Sequence, residues 1–319
     1  MNVTVILCTY NRSKSLSKAL ASVAASTLPA PAEWEVLVID NNSTDETRRV
    51  IEDYCRKDSR HFRYLFEAKQ GKSHALELGI REAQGDILAF MDDDVTVEPT
   101  WLQNLTAGLD GGAWVGAGGR ILPEQTFSPP RWLPLHDRYG LAPLALFDLG
   151  PRAGALTEPP FGTNMAFRKT VFNKYGGFRT DLGPRPGSEI RNEDTEFGHR
   201  VLDAGEQLRY EPSAVVYHSV PDNRVQQKYF LKWWFDKARA DVRQGAISLK
   251  TRWSVAGVPL YLFRRLVVWT VRWLVVLDPA RRFSNKIKAW TVAGHILECY
   301  KSARGAPGCT DKVSEGSQE

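Results

Sequence analysis

Three aspartates end the stretch Ile87-Leu88-Ala89-Phe90-Met91-Asp92-Asp93-Asp94, in which they follow a short apolar run. Such a run is typical of a buried strand. Three like charges at a strand tip repel one another unless a cation neutralises them, and carboxylate oxygens suit Mg²⁺ or Mn²⁺. The stretch therefore predicts either a divalent-cation site at the end of a strand or a solvated acidic turn.

Strands and helices alternate along the front of the chain. The predicted strands are Val3–Leu7, Trp34–Ile39, Phe62–Phe66 and Ile87–Met91, and the predicted helices are Ser13–Ala25, Asp45–Lys57 and Ser73–Ala83. This alternation predicts an α/β fold with a doubly wound, mostly parallel sheet that binds its ligands at the carboxyl ends of the strands. Polar clusters follow the first, second and fourth strands, namely Thr9-Tyr10-Asn11-Arg12, Asp40-Asn41-Asn42-Ser43 and Asp92–Asp94.

Composition and motifs exclude several classes of protein. With 43% hydrophobic and 25% charged residues, the chain is an ordinary globular protein. The four cysteines form no CxxC pair, so we expect neither a disulfide framework nor a zinc site, and a reducing cytosol is the simplest compartment. No signal peptide is expected, because the N-terminus enters a strand pattern at once. The first strand is followed by no GxGxxG or P-loop motif, which argues against a Rossmann dehydrogenase or a P-loop NTPase.

Charge divides the chain into three segments. Residues 224–304 carry a balance of +13 and residues 305–319 a balance of −2, so the overall +5 leaves −6 for residues 1–223. We predict an α/β domain over 1–223, a basic amphipathic helical region over 224–304 and a disordered tail over 305–319. Within the first domain, the proline-rich residues 123–160 suggest a long surface excursion of the kind that forms active-site lids.

Four further segments have both a structural and a functional interpretation. Lys72 follows Gly71 at a helix start, where it either contacts phosphate or lies in a solvated loop. Asp40 either belongs to helix-capping chemistry or accepts a hydrogen bond from a base or sugar. Glu193 and Asp194 open a helix, where acids favour the dipole but one could also serve as a general base. His218 ends a β-branched run and is either a structural residue or a ligand.

Taken in order, these segments resemble the inverting family 2 glycosyltransferases of the GT-A fold. The resemblance runs from about Val3 to about Asn223, with residues 1–120 as the nucleotide-sugar-binding half and 121–223 as the acceptor half. It rests on the polar clusters above, on Gly85–Asp94 as a DxD-type segment, and on the ED pair Glu193-Asp194. Two glycine-bearing segments, Gly162-Thr163-Asn164-Met165-Ala166-Phe167-Arg168 and Gly176-Gly177-Phe178, complete the set.

The resemblance implies a role for each motif residue. Asp194 would be the catalytic base, and Asp94 and His218 would hold Mg²⁺ or Mn²⁺. The acceptor and donor-sugar pocket would contain Gly162, Thr163, Asn164 and Glu193. The nucleotide-sugar would be bound by Thr9, Tyr10, Asn11, Arg12, Asp40, Asn42, Lys72, Asp92 and Asp93, with Asp40 on the uracil or other base.

The implied reaction is metal-dependent transfer of a sugar, with inversion, from a nucleotide-diphosphate donor to a hydroxyl group. A UDP-sugar is the favoured donor, and a lipid-linked or growing polysaccharide is the expected acceptor. Two alternatives are a sugar-nucleotide pyrophosphorylase and a nucleic-acid-binding protein that uses the basic segment. Thr9-Tyr10-Asn11-Arg12 lacks the glycines that the first needs, and the second leaves the acidic clusters unexplained and shows no known motif. We therefore expect no nucleic-acid partner.

The basic segment has the composition of a membrane surface helix. Six of the ten tryptophans lie in it, and Arg264, Arg265 and Arg272 interrupt the apolar run Trp253–Leu277. A spanning helix needs roughly 20 apolar residues, and a central arginine is costly there. We predict helices lying in the interface of an anionic membrane, at the inner face of the cell membrane, with a soluble helical subdomain as the alternative.

Overall fold

The computed structural model describes residues 2–28, 32–125, 128–134, 138–186, 191–245 and 253–304. The predicted tail, 305–319, lies outside the described residues. The chain divides into two compact units. The sheet unit comprises the described residues of Met1–Pro129 and Leu135–Gln226, and the helical unit those of Pro130–Pro134 and Gln227–Glu319. Both predicted halves, 1–120 and 121–223, fall in the sheet unit apart from the short segment Pro130–Pro134.

The first half of the sheet unit has the predicted alternation of parallel strands and helices. The strands are β1 (Asn2–Thr9), β2 (Glu33–Asp40), β3 (Phe62–Phe66) and β4 (Ile87–Asp92), and the helices are α1 (Ser13–Ala24), α2 (Thr47–Lys57) and α3 (Lys72–Glu82). All pairings among these strands are parallel, in the order β3-β2-β1-β4. Their carboxyl ends therefore share one edge of the sheet.

The second half extends this sheet with mixed pairing. It contains β5 (Val95–Val97), α4 (Trp101–Thr106), β6 (Trp114–Pro123), α5 (Arg138–Leu141), a 3-10 turn (Ala142–Leu144), β7 (Gly154–Leu156), β8 (Asn164–Arg168), α6 (Lys169–Tyr175), α7 (Glu193–Asp203) and β9 (Gln207–His218). The order continues from β4 through β8, β6 and β9 to β5, and β7 pairs with β9. β8 runs antiparallel to β4 and β6, whereas β9 runs parallel to β6 and antiparallel to β5 and β7. The described parts of the proline-rich segment are thus partly regular.

Strand alternation divides the core between the two faces of the sheet. On β1, Val5 and Leu7 join the cluster that includes Leu16 and Leu20 of α1, while Ile6 joins the cluster on the opposite face. Successive strand residues point to opposite faces, so one apolar strand serves both clusters. Leu16 and Leu20 lie four residues apart on one face of their helix, which fixes α1 against the sheet.

Strand register brings the polar clusters together. Thr9 pairs with Asp40 between β1 and β2, and Cys8 pairs with Asp92 between β1 and β4. At the opposite edge of the sheet, where β5 is the last strand, the ladder between β5 and β9 pairs Val95 with His218. The ends of β1, β2, β4 and β9 therefore converge on the residues around Asp92–Asp94.

The helical unit consists of three helices and a small hairpin. Its elements are α8 (Gln227–Arg243), β10 (Ser254–Val255), β11 (Val258–Pro259), α9 (Leu260–Val275) and α10 (Pro279–Ala303). The carboxylate of Glu298 in α10 accepts hydrogen bonds from Arg239 Nε at 2.9 Å and from Arg243 Nε at 2.5 Å. These ion pairs join α10 to α8. In the part of the chain that the structure describes, no helix has the length and apolarity needed to cross a membrane.

Asn164 joins three parts of the sheet unit through its buried side chain. Its Oδ1 accepts from Trp101 Nε1 at 2.9 Å, and its Nδ2 donates to the carbonyls of Arg120 at 2.9 Å and Ala214 at 2.8 Å. With the amide committed to these bonds, the geometry favours a structural role for Asn164 over the predicted contact with a sugar.

Asn164→Ala should reduce the free energy of unfolding by about 3 kcal/mol, because each buried group left without a partner costs about 1–3 kcal/mol. Urea unfolding measures the loss. Asn104→Ala is the matched control, since that side chain bonds the carbonyl of Ser213 near the surface, where water can replace it. Equal losses in the two variants would contradict the assignment.

Candidate functional site

Asp92 is the first carboxylate at the end of β4, and its two oxygens have different partners. Lys72 Nζ donates to Oδ1 at 2.6 Å, and Thr163 Oγ1 donates to Oδ2 at 2.7 Å. Burial alone would raise the pKa of Asp92, but the adjacent Lys72 and these hydrogen bonds more than offset it, so the pKa is lowered. For Lys72, burial would lower the pKa, yet Asp92 and Glu193 raise it. Asp92 and Lys72 therefore form a charged pair.

Asp93 points into the protein. Its side chain is buried and accepts from Thr9 Oγ1 at 2.7 Å, and Arg12 Nη1 lies 3.7 Å from its other oxygen. Burial raises the pKa of Asp93 to about 7, although Arg12 acts in the opposite direction. These contacts give Thr9 and Asp93 roles in positioning the loop, and their predicted contact with the nucleotide-sugar stays a prediction.

Asp94 lies between two arginines and a histidine. Its Oδ2 accepts from Arg12 Nη1 at 2.6 Å and from Arg224 Nη2 at 3.3 Å, while its Oδ1 lies 3.6 Å from His218 Nε2. Arg224 Nη1 also approaches His218 Nε2 at 3.2 Å. A guanidinium can only donate, so His218 Nε2 presents its lone pair on this side.

The state of His218 suits a metal ligand. Burial lowers the pKa of this imidazole, although Asp94 acts to raise it. With Nε2 accepting from Arg224, the proton of the neutral ring lies on Nδ1, which is buried and has no hydrogen-bond partner among the described residues. Neutral imidazole nitrogens are common metal ligands.

The separation of Asp94 and His218 also fits an ion. Two ligands about 2.1 Å from one Mg²⁺ or Mn²⁺ ion lie about 3 Å apart at a right angle and about 4 Å apart when opposed. The 3.6 Å between Asp94 Oδ1 and His218 Nε2 falls between these limits. In the described ranges, no group of three or more His, Cys, Asp or Glu side chains could hold a metal ion. Further ligands would have to be water or substrate phosphate, as Mg²⁺ commonly takes.

The start of α7 carries the two predicted acids in different environments. Glu193 is buried, with Oε1 3.8 Å from Lys72 Nζ. Burial, reinforced by the charge of Asp194, raises the pKa of Glu193 to about 7. Asp194 is only partly buried, and its Oδ2 and Oδ1 accept from the backbone N–H groups of Gly162 and Thr195, both at 2.7 Å. Thr195 Oγ1 also donates to Oδ1, at 3.3 Å. These donors orient Asp194 and leave a lone pair on Oδ2, which accepts the single hydrogen bond from Gly162.

The loop after β2 is stabilised by Asp40 and by two asparagines with positive φ, Asn42 in the loop itself and Asn11 just after β1. Asp40 accepts from Ser43 N at 2.9 Å and from Tyr64 Oη at 3.4 Å, so it stabilises its own loop and does not cap α2. Asn11 and Asn42 have φ of 50° and 65°, a conformation that asparagine tolerates better than most residues. Asn11 is also structural, because its Oδ1 accepts from the backbone of Thr44 at 2.7 Å.

Sequence reasoning missed two residues of this site. Asn41 is buried, and its Nδ2 donates to the carbonyls of Glu67 at 3.1 Å and Lys69 at 2.8 Å. Its Oδ1 accepts from Gly71 N at 2.8 Å, where Gly71 has the positive φ of 138° that most side chains cannot adopt. Arg224 is the second residue: it belongs to the basic segment 224–304, but it follows His218 by only six residues, and this short separation is a signal that it can reach the acidic cluster.

Tyr10 follows the last residue of β1, and its side chain is exposed.

A basic cavity opens on one side of Asp94. The cavity has a volume of about 330 Å³. Four cations and two acids line it, namely Arg12, Lys14, Lys18, Arg224, Asp94 and Glu124. This excess of positive charge makes the space beside Asp94 suitable for an anionic group.

Comparison with known proteins identifies the family of the chain. The family model described as glycosyl transferase family 2 matches residues 4–176, more than half of the chain. The chain belongs to this family. It is therefore a glycosyltransferase, and the match supports neither the pyrophosphorylase nor the nucleic-acid-binding alternative.

Two family 2 relatives align over most of the chain. The glucosyl-dolichyl phosphate glucuronosyltransferase of Haloferax volcanii is 28% identical over 240 residues, which cover 73% of this chain and 75% of the relative. The succinoglycan biosynthesis protein ExoM of Rhizobium meliloti is 27% identical over 263 residues, which cover 80% of each protein.

Solved glycosyltransferase structures confirm the GT-A-like fold. The mannosyltransferase PcManGT from Pyrobaculum calidifontis, in complex with GDP-Man and Mn²⁺, superposes with a TM-score of 0.64 at 18% identity over 94% of this chain and 87% of that one. Staphylococcus aureus TarS 1–349 in complex with UDP gives 0.51 at 16% identity over 98% and 95% of the two chains.

The raised pKa of Glu193 makes stability depend on pH. A carboxyl whose pKa increases on folding, here from 4.5 to about 7, costs stability progressively as pH rises through that interval. We expect Glu193→Gln to change stability little near pH 4, and to be more stable than the wild type near pH 8 by up to about 3 kcal/mol. Urea unfolding in EDTA across this range measures the difference. A difference that does not vary with pH would contradict the interpretation.

Proposed function

We propose that the protein is a metal-dependent inverting glycosyltransferase that moves a hexosyl group from a nucleotide-diphosphate donor, with a UDP-sugar favoured. The observation that carries the proposal is the 3.6 Å separation of His218 Nε2 and Asp94 Oδ1, beside two arginines at the carboxyl edge of the sheet. Neither the metal nor the nucleotide follows from the family alone.

Asp94 and His218 are the residues that would hold Mg²⁺ or Mn²⁺. A bound ion would neutralise charge that develops on the leaving diphosphate. Arg12 and Arg224 now contact Asp94, and both line the basic cavity. In the proposed complex these guanidiniums turn from the carboxylate to the phosphates, for which their planar donors are well suited.

The nucleoside would lie over the ends of β1 and β2. Asp40 and Asn42 would contact the base, Asp92 the ribose, and Tyr10 the open side of the nucleoside. Lys72 would stay paired with Asp92 and keep that carboxylate ionised, as the lowered pKa of Asp92 supports. The neighbours PcManGT and TarS support a nucleotide ligand, since their complexes contain GDP-Man and UDP respectively.

Asp194 would act as the general base. Its two backbone hydrogen bonds hold the carboxylate at the start of α7 while leaving it able to accept a proton from an acceptor hydroxyl. A single attack on the anomeric carbon, from the side opposite the diphosphate, would invert its configuration. Glu193, buried beside Lys72, would shape the sugar pocket with Gly162 and Thr163.

The acceptor would be a lipid-linked or growing polysaccharide. The names of two relatives support this class, because one is a glucosyl-dolichyl phosphate glucuronosyltransferase and the other a succinoglycan biosynthesis protein. We propose a peripheral location at the cytoplasmic face of the cell membrane, with the basic helical region in contact with anionic lipid and no nucleic-acid partner.

Donor binding tests the proposal most directly. Thermal unfolding is followed with UDP-, GDP- and dTDP-sugars, each with Mn²⁺, with Mg²⁺ and with EDTA. We expect a UDP-sugar to raise Tm in the presence of metal and to lose most of this effect in EDTA, because ligands that bind the folded state stabilise it by mass action.

Asp94→Ala should abolish both the metal-dependent shift and sugar transfer. Asp86→Ala is its matched control, since Asp86 precedes the opposite end of β4 and its exposed side chain accepts a hydrogen bond from the backbone N–H of Asn2 at 3.1 Å. Transfer that survives EDTA unchanged would refute metal dependence, and a shift confined to another nucleotide would refute the choice of UDP.

Asp194→Asn should lower turnover by about 10²–10⁴-fold while donor binding survives, because the amide cannot accept the proton. It should also cost some stability, since asparagine offers one acceptor oxygen where aspartate uses two. Transfer rates and donor-induced Tm shifts are measured together, with Asp203→Asn at the far end of α7 as the control. Near-normal turnover in Asp194→Asn, with a loss in Glu193→Gln, would reassign the base to Glu193.

A further inference from the structure

Helix α9 has apolar residues on two opposite faces. Leu262 is fully buried, and Leu266 and Trp269 pack on the same side against the core of the helical unit. The opposite side, called here the outer face, consists of Leu260, Phe263, Val267, Val271, Leu274 and Val275, which are between 39% and 65% exposed. Their spacing of three or four residues places them in one stripe. A contiguous exposed apolar stripe marks an interaction surface.

The charge around the outer face selects its partner. Arg264 and Arg265 are exposed on α9, and residues 253–277 contain no Asp or Glu. A second copy of the chain packed on this face would bring like charges together, which is unfavourable. An anionic lipid surface offers phosphate to the arginines and acyl chain to the stripe.

Other parts of the chain are poor partners for the outer face. Residues 305–319 contain one large apolar residue, Val313, too few to cover such a stripe. α10 directs many of its apolar residues inward, where Phe283, Ile287 and Val292 are buried. Helix α9 spans 16 residues, a length of about 24 Å, and is suited to lie along a surface.

We propose that the outer face of α9 is the element that inserts into the headgroup boundary of an anionic membrane, with Arg264 and Arg265 contacting lipid phosphates. This inference rests on the proposed membrane-associated function and narrows it to one face of one helix. α8 and α10 serve as the scaffold that presents this face.

Vesicle flotation of the full chain tests the inference. The vesicles contain phosphatidylcholine with or without phosphatidylglycerol, at low and high salt. Val271→Asp should weaken partitioning by about tenfold or more, because one valine loses its burial. Arg264→Gln with Arg265→Gln should weaken binding to the anionic vesicles by about fivefold per charge at low salt only. Leu149→Asp is the control, since Leu149 is 58% exposed in the sheet unit.

Flotation of the wild type and of Leu149→Asp, with loss in Val271→Asp, supports the inference. A wild type that stays unbound on anionic vesicles at low salt, or a Val271→Asp variant that floats as well as the wild type, overturns it. Sedimentation velocity without lipid detects the competing partner, because a dimer that Val271→Asp dissociates would assign the face to a second copy. Transfer to a water-soluble acceptor is assayed on the same samples, so failure of catalysis in all of them counts against the proposed function alone.

Discussion

Charge compensation at the end of β4 is the constraint on which the site depends. Three consecutive carboxylates lie there with little exposure, and each has a polar partner from another segment: Lys72 for Asp92, Thr9 for Asp93, and Arg12 with Arg224 for Asp94. Unpaired buried charges are strongly destabilising. The starts of α1 and α3 and the segment after β9 are therefore held together by the same acids that the proposed chemistry uses.

The two acids of α7 show how one helix start can give neighbouring carboxyls different properties. Glu193 is buried next to Lys72, and its raised pKa makes it a poor permanent anion. Asp194 is oriented by two backbone donors and remains partly accessible. Environment rather than residue type thus divides the roles, as in other enzymes with paired carboxyls. The ED sequence alone gives no physical reason to prefer one of the two carboxyls as the base.

Local sequence patterns predicted the parallel strands β1–β4 and their helices, because apolar runs and helical spacing are short-range signals. The pairing of β5, β6 and β9 could not be predicted in the same way, since it joins residues far apart in sequence. The family resemblance indicated the candidate site residues, but it gave no information on which of their side chains are buried. Asn164 and Asp93 therefore have internal partners that the motifs did not indicate, and the contribution of Arg224 was hidden within a regional count of charge.

The pairing of Val95 with His218 has a consequence for how this enzyme can change over evolution. Successive strand residues face opposite sides, so inserting or deleting one residue near the end of β9 would turn His218 away from Asp94 while leaving the ladder intact. Length changes in this strand should therefore be far less tolerated than substitutions. The irregularity in β9 between Glu211 and Val215, where β6 shifts register, offers the nearest place to absorb an extra residue without moving the histidine.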